Sequence, residues 1–128
     1  MADDIFGVSE NALQLCEQRA ALITNNIVNS STPHFKAKDI NFQKALQAST
    51  SDSVSLTTTN AGHIPLQTAE GGNANTMYRV PNQQSLDGNT VDDEIERKNF
   101  IENALRYQVN LTFVQNKTEQ LMHAIKGE

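Results

Sequence analysis

Apolar residues recur at helical spacing near both ends of the chain, and a polar stretch separates the two patterned regions. Between Asp4 and about Asn29 there is no proline, and Gly7 is the one glycine. Phe6, Leu13, Cys16, Ala20, Ile23 and Ile27 follow at steps of seven, three, four, three and four residues, which is a heptad seam. Ala12, Leu15 and Leu22 widen it on one side. The pattern predicts a helix, with Asp3 or Asp4 capping its first turn and complementing its dipole.

The second region is longer. From Val91 to about Lys126 there is neither glycine nor proline, and Phe100, Ala104, Tyr107, Leu111, Val114, Thr118, Leu121 and Ile125 alternate steps of four and three. At the rise of an α-helix this segment spans roughly 54 Å and the first about 39 Å, so one overhangs the other by about 15 Å. Val91, Ile95, Ile101, Leu105, Val109, Phe113 and Met122 lie off the seam. A helix that is apolar over much of its circumference is buried by several neighbours, so packing on more than one side is expected.

Residues 47–90 are dominated by Ser, Thr, Asn, Gln and Gly and are punctuated by Pro65, Pro81, Gly71-Gly72 and Asp87-Gly88-Asn89. Such a composition does not bury enough apolar area to order itself alone. Thr76–Val80 is expected to pair as a strand only where something supports it. Before this region Asn41 is placed to cap a short helix beginning Phe42-Gln-Lys-Ala-Leu-Gln. The fold class expected is mainly α: two long terminal helices forming a coiled-coil-like antiparallel pair, with an irregular polar middle. The segments read as a helix over 1–30, a polar loop and short helix over 31–46, an irregular stretch over 47–90 and a helix over 91–128.

Composition sharpens this in one respect. In a chain of 128 residues only 38% are hydrophobic and 5% aromatic, with no Trp, and the mean hydropathy is -0.50. A self-contained globule of this size generally has more large apolar residues to offset chain entropy, so an elongated or partner-dependent subunit is expected. Ten basic against fifteen acidic residues leave a net charge of -5. Without a basic patch to neutralise phosphates, neither nucleic acid nor an anionic membrane is an expected partner. No apolar run approaches the roughly 20 residues of a membrane span. The opening MADDIFGVSENAL is acidic where a cleaved signal would be basic, so export without cleavage, or no export, is expected.

Candidate chemistry is sparse. His34, His63 and His123 stand far apart in sequence, and the single Cys16 sits on the first seam, where a small buried hydrophobe fits. Metal-ligand spacings such as CxxC or HExxH are absent from the sequence. Asp92-Asp93-Glu94 and Glu96 read as the start of the second helix, with Thr90 as N-cap and a solvated acidic face. Ser30, Ser31 and Thr32 have no base beside them, and Gly71-Gly72-Asn73 lacks the surroundings of a phosphate loop. No catalytic, cofactor-binding or metal-ligating residue is therefore expected.

What remains is NNIVNSSTPHFK, residues 25–36, a polar and particular helix exit. Pro33 cannot continue a helix and biases Thr32 away from helical angles. Asn29, Ser30 and Ser31 offer side chains to the orphan groups of the turn. Phe35 supplies an apolar anchor.

The run Ile23-Thr24-Asn25-Asn26-Ile27-Val28-Asn29-Ser30-Ser31-Thr32-Pro33-His34-Phe35-Lys36-Ala37-Lys38-Asp39 resembles the motif that follows the first helix in bacterial flagellar rod and hook proteins. It departs from that pattern at Val28, His34 and Phe35, where Ala, Gly and Tyr are usual. His34 matters most, because it adopts a left-handed conformation less readily than Gly, so a slightly different turn is expected. Lys38-Asp39-Ile40-Asn41-Phe42, Leu56 to Ile64, Gly88-Asn89-Thr90-Val91-Asp92 and Glu102 to Gln108 are similar to segments of the proximal-rod branch, in the same order.

The resemblance implies a structural subunit of the flagellar basal body that polymerises through its terminal helices into the proximal rod and transmits torque. It implies export by the flagellar type III apparatus. The implied partners are further copies of the chain, other rod proteins, a FliE-type adaptor, the membrane-embedded ring and the export gate. Asn25, Asn26, Ile27, Asn29, Thr32, Pro33, Phe35, Lys36, Lys38 and Asp39 would form the assembly loop. Leu13, Ile23, Ile27, Leu111, Val114, Leu121 and Ile125 would pair the helices, and Leu105, Val109, Phe113 and Met122 would meet other subunits. Phe42 and Leu46, one turn apart, are similar to the export-gate signal of such proteins, although the pair also reads as an ordinary helical contact. The alternative from another class is a soluble helical adaptor or export chaperone that uses the same helices.

Overall fold

The computed structural model describes residues 6–50 and 76–127. The elements are α1 (Gly7–Val28), β1 (Lys38–Ile40), α2 (Phe42–Thr50), β2 (Thr76–Tyr78) and α3 (Asp93–Lys126). The suggested Asp3 and Asp4 caps, His63, the Gly71-Gly72 pair and the segment from Leu56 to Ile64 lie outside the described residues.

The architecture is mainly helical. Near its C-terminal end α1 meets the start of α3 through Asn26 and Glu96, and mid-helix Cys16 meets Asn103 and Asn110. The two helices therefore run antiparallel. With 34 residues against 22, α3 is about 51 Å long and α1 about 33 Å, so α3 runs on alone by about 18 Å.

Local chemistry explains the helix ends, with one difference from the sequence pattern. The N-cap of α3 is Asp92, not Thr90: its side chain accepts from the backbone N–H groups of Glu94 and Ile95. Thr90 is used elsewhere, its Oγ1 accepting from Ala37 N–H at 2.8 Å. Within α1 the described N-cap is Phe6, which makes no side-chain cap bond. As the sequence predicts, Asn41 caps α2, its Oδ1 accepting from Lys44 N–H at 3.1 Å. Gly127 closes α3 in a left-handed conformation, φ 72°.

The seam of α1 behaves as its pattern predicts: Cys16 and Ile23 are buried, with Ala12 beside them, and Phe6, Leu13, Ala20 and Ile27 are half-buried. The α3 seam is turned by one residue in its first half. Phe100 and Ala104 are exposed, while Glu96 and Asn103 are buried and Asn99 and Asn110 half-buried. Tyr107, Leu111, Val114 and Leu121 are half-buried. A polar column, Glu96–Asn103–Asn110, thus displaces the apolar column expected there. Apolar periodicity could not register it, because these side chains are polar and meet α1 through hydrogen bonds.

β1 and β2 pair antiparallel, with Lys38 opposite Tyr78, Asp39 opposite Met77 and Ile40 opposite Thr76. The strand expected at Thr76–Val80 exists over Thr76–Tyr78, and its support comes from β1, a segment that reads as loop in the sequence. Among the described residues no helix is long and apolar enough to cross a membrane.

Candidate functional site, the joint between the helices

The exit of α1 is folded against the approach to α3. Asn89 is 5% exposed, and its Nδ2 donates to three backbone carbonyls, those of Asn29 at 3.0 Å, Ser30 at 2.9 Å and Thr32 at 2.9 Å. Its Oδ1 accepts from Val91 N–H at 2.8 Å. One amide thus gathers the carbonyls of the turn that follows α1, alongside the role expected of Asn29. Asn29 turns its own side chain back to the Asn25 carbonyl at 2.8 Å. Thr32 donates its hydroxyl to Asn29 Oδ1 at 3.2 Å. Thr90 N–H reaches the Phe35 carbonyl at 3.0 Å, and Lys36 Nζ the Gly88 carbonyl at 3.4 Å. Pro33 is exposed and Phe35 half-buried.

His34 takes the left-handed region, φ 62°, the conformation a glycine would adopt there. Its N–H donates to the Asp87 carbonyl at 2.9 Å. The constraint falls on Gly88, also left-handed at φ 74°, where an added Cβ would lie 2.8 Å from His34 Nδ1. That is closer than a carbon and a nitrogen approach without displacement, so glycine at 88 makes room for histidine at 34.

Beneath the exit, Asn26 is fully buried. It accepts from Lys38 N–H at 3.1 Å and donates to the Lys38 carbonyl at 2.8 Å, pairing with β1 as a neighbouring strand would. The same Nδ2 lies 3.3 Å from Glu96 Oε2. Asn26 therefore joins α1, β1 and α3.

Next to it is a chain of alternating charges. Arg19 on α1 donates to Asp39 on β1 at 3.0 Å, and Arg79, just past β2, donates to Asp39 at 2.7 Å. Arg79 also donates to Glu96 on α3. Glu96 is 0% exposed, which corrects the reading of a solvated acidic face at the start of the helix; Asp92, Asp93 and Glu94 are exposed. Burial of this kind is tolerated because cation and amide donors meet the carboxylate. For Asp39, burial acts to raise the carboxyl pKa, but the Arg19 and Arg79 hydrogen bonds outweigh it and hold the group below its usual range. Its contribution to stability is therefore present above the unfolded carboxylate pKa and is lost as pH falls through the lower folded value.

Farther along, Asn103 Nδ2 donates to the Cys16 carbonyl at 2.8 Å. Burial pushes the Cys16 thiol pKa up, against opposing effects of Asn110, Arg106 and Arg19.

The structure gathers Asn26, Asn29, Thr32, Phe35, Lys36, Lys38 and Asp39 into this joint, while Asn25 and Pro33 face outward. Arg19, Arg79, Asn89, Glu96 and Asn103 belong to it as well, although they are not among the site residues expected from the sequence. The Gly88-Asn89-Thr90 turn carried the available signal; Arg19 and Arg79 had none, because their partners are distant in sequence. Of the helix-pairing candidates, Ile23 is buried, Leu13, Ile27, Leu111, Val114 and Leu121 are half-buried, and Ile125 is 84% exposed. Leu105, Val109, Phe113 and Met122 are exposed, Phe113 at 59%. Phe42 and Leu46 are half-buried on α2.

No protein-family model matches the chain. It is similar over nearly its whole length to proteins described as flagellar basal body rod protein FlgB. Identity is 43% to that of Aeromonas hydrophila, covering 98% of this chain and 96% of the relative. It is 46% to that of Cereibacter sphaeroides over 98% and 96%, and 38% to that of Salmonella typhimurium over 98% and 95%.

Proposed function

Because the chain belongs to the FlgB family of flagellar basal body rod proteins, and so is a structural component of that rod, we propose that it polymerises through α1 and α3 into the proximal, torque-transmitting part. The observation that carries this reading is the apolar row on α3. Ile101, Leu105, Val109 and Phe113 follow at steps of four residues and are all exposed, because α1 covers only the opposite side. A row of this kind in a subunit of a polymer is covered by neighbouring copies. Many such contacts in parallel make a stiff tube.

The joint sets how the helix pair carries the middle segment. Asn26, Asn89 and the Arg19–Asp39–Arg79–Glu96 chain tie the exit of α1, the small sheet and the start of α3 into one unit, so torque on the helices is passed to the rest of the subunit. Export proceeds through the flagellar type III apparatus, whose gate reads Phe42 and Leu46. Other rod proteins, a FliE-type adaptor and the membrane ring are the partners at the rod base.

Phe113→Asp tests the assembly surface. Export should persist while rods fail to form, seen as loss of basal-body rods in electron micrographs with the variant still secreted. Normal rods built from the Phe113→Asp variant would remove Phe113 from the assembly contacts and count against the row as the interface.

A further inference from the structure

We infer that copies in the assembled rod are joined by a knob and a socket, Leu86 and Asp87 of one copy seating in the pocket between α1 and the small sheet of the next. This rests on the reading of the chain as a subunit that polymerises with its own kind, and names one contact within that polymer. The contact belongs to the assembled rod and requires no folded joint in the isolated chain.

The knob is the turn Ser85–Gly88. Leu86 is fully exposed, more so than any other large apolar residue among those described. A single exposed leucine is ordinary in itself, but this one stands on a turn held from several sides. Gly88 N–H donates to the Ser85 carbonyl at 3.1 Å and His34 N–H to the Asp87 carbonyl at 2.9 Å. Asn89, next along, is clamped to the exit of α1. Little ordering is therefore needed when Leu86 meets a partner. Asp87 accepts from the Ser85 hydroxyl and from Asn89 N–H, both on Oδ1, which leaves Oδ2 for a cation. Those bonds hold its carboxyl below the usual range, so it carries its charge at neutral pH.

The socket is a pocket of about 320 Å³ lined by Leu22, Lys38, Thr76, Met77 and Tyr78. Met77 and Tyr78 are exposed, so its apolar wall is open to a neighbour. Lys38 Nζ lies 5.6 Å from the centre of the Tyr78 ring and has no carboxylate partner among the described residues. Apolar wall and unpaired cation together fit an aliphatic side chain followed by a carboxylate, which is the order Leu86-Asp87. The chain's own Leu86, being fully exposed, does not fill the pocket. Knob and socket are different surfaces, so every copy carries both. The contact then repeats head to tail, as in rings and helical filaments, rather than closing on a pair.

Disulfide cross-linking tests this in basal bodies from cells carrying the variant alongside the wild-type chain, so that rods still form. With Leu86→Cys and Met77→Cys on one chain, oxidation should give linked copies. Either change alone should give none, as should the wild type with its buried Cys16. Expressed alone, Leu86→Asp should lower the number of rods by about tenfold or more, the order expected from losing the burial of one leucine. That variant should still be secreted, and Leu86→Met should build rods normally. Absence of linked copies in basal bodies that contain the double cysteine variant would overturn the socket, as would normal rods from Leu86→Asp. Linkage through Leu86→Cys alone, to a like copy or to a different protein, would give the knob another occupant and overturn it too. All of these results leave polymerisation through α1 and α3 standing. An amine cross-linker that joined no two copies in wild-type basal bodies would instead remove the polymer reading, and the socket with it.

Discussion

Arg79 stands between two carboxylates, Asp39 at 2.7 Å and the fully buried Glu96. Removing a charge from such a chain costs more than the pair itself contributes, because the partner is left desolvated without compensation. Arg79→Met should therefore destabilise the joint by about 3–5 kcal/mol. The double change Arg79→Met with Glu96→Met should recover much of that loss, since no orphaned charge remains at position 96. Helix content in urea, followed by circular dichroism for both variants, separates these outcomes. A double variant as unstable as the single one would mean that packing around Arg79, rather than charge compensation, holds the joint.

Between elements, the turn at His34 and the turn at Gly88 are fitted to each other. Gly88→Ala would bring a methyl group to 2.8 Å from His34 Nδ1 and force a side chain into a left-handed position. The exposed His34 ring can swing aside, so the backbone cost dominates and a loss of about 1–2 kcal/mol is expected. Adding His34→Gly removes the contact but not the backbone penalty, so it should restore only a small part. The expected readout is faster amide exchange between Asn29 and Phe35, with the middle of α3 unchanged. If His34→Gly restored nothing, the close approach would not be what fixes glycine at 88. At the α1–α3 contact Asn103 is buried and bonded to the Cys16 carbonyl, the kind of position from which a single Asn sets register in coiled coils.

At the scale of the whole molecule, few large side chains are buried among the described residues. Among the described residues the buried apolar ones are Ala12, Cys16, Ile23, Ala37, Ile40 and Ala45, mostly small, whereas Phe100, Ile101, Leu105, Val109, Phe113 and Ile125 are exposed. The intrachain core is thus modest and the outward apolar area large, the balance of a subunit completed by its neighbours. The isolated chain should be a monomer, partly unfolded, with a broad thermal transition. Circular dichroism with light scattering checks this. A compact dimer that melts cooperatively would favour a helical adaptor over a rod subunit.

The sequence by itself determined the two long helices, the seam of α1, the Asn41 cap and the exit at Pro33. These follow from periodicity and from residues whose effects act within a turn or two. It also located the turn at Gly88-Asn89 and the apolar residues of α3 that lie off its seam. Only the tertiary structure decided that Glu96 is buried rather than solvated, that Thr90 leaves the capping to Asp92, and that Lys38–Ile40 forms a strand. It decided too that Asn26 serves three elements and that α3 turns a polar column toward α1. The physical reason is common to all of them. An apolar residue declares its burial through hydropathy and spacing, but a polar one is buried only when its partners arrive, and Arg19, Arg79 and Asn89 come from segments far along the chain.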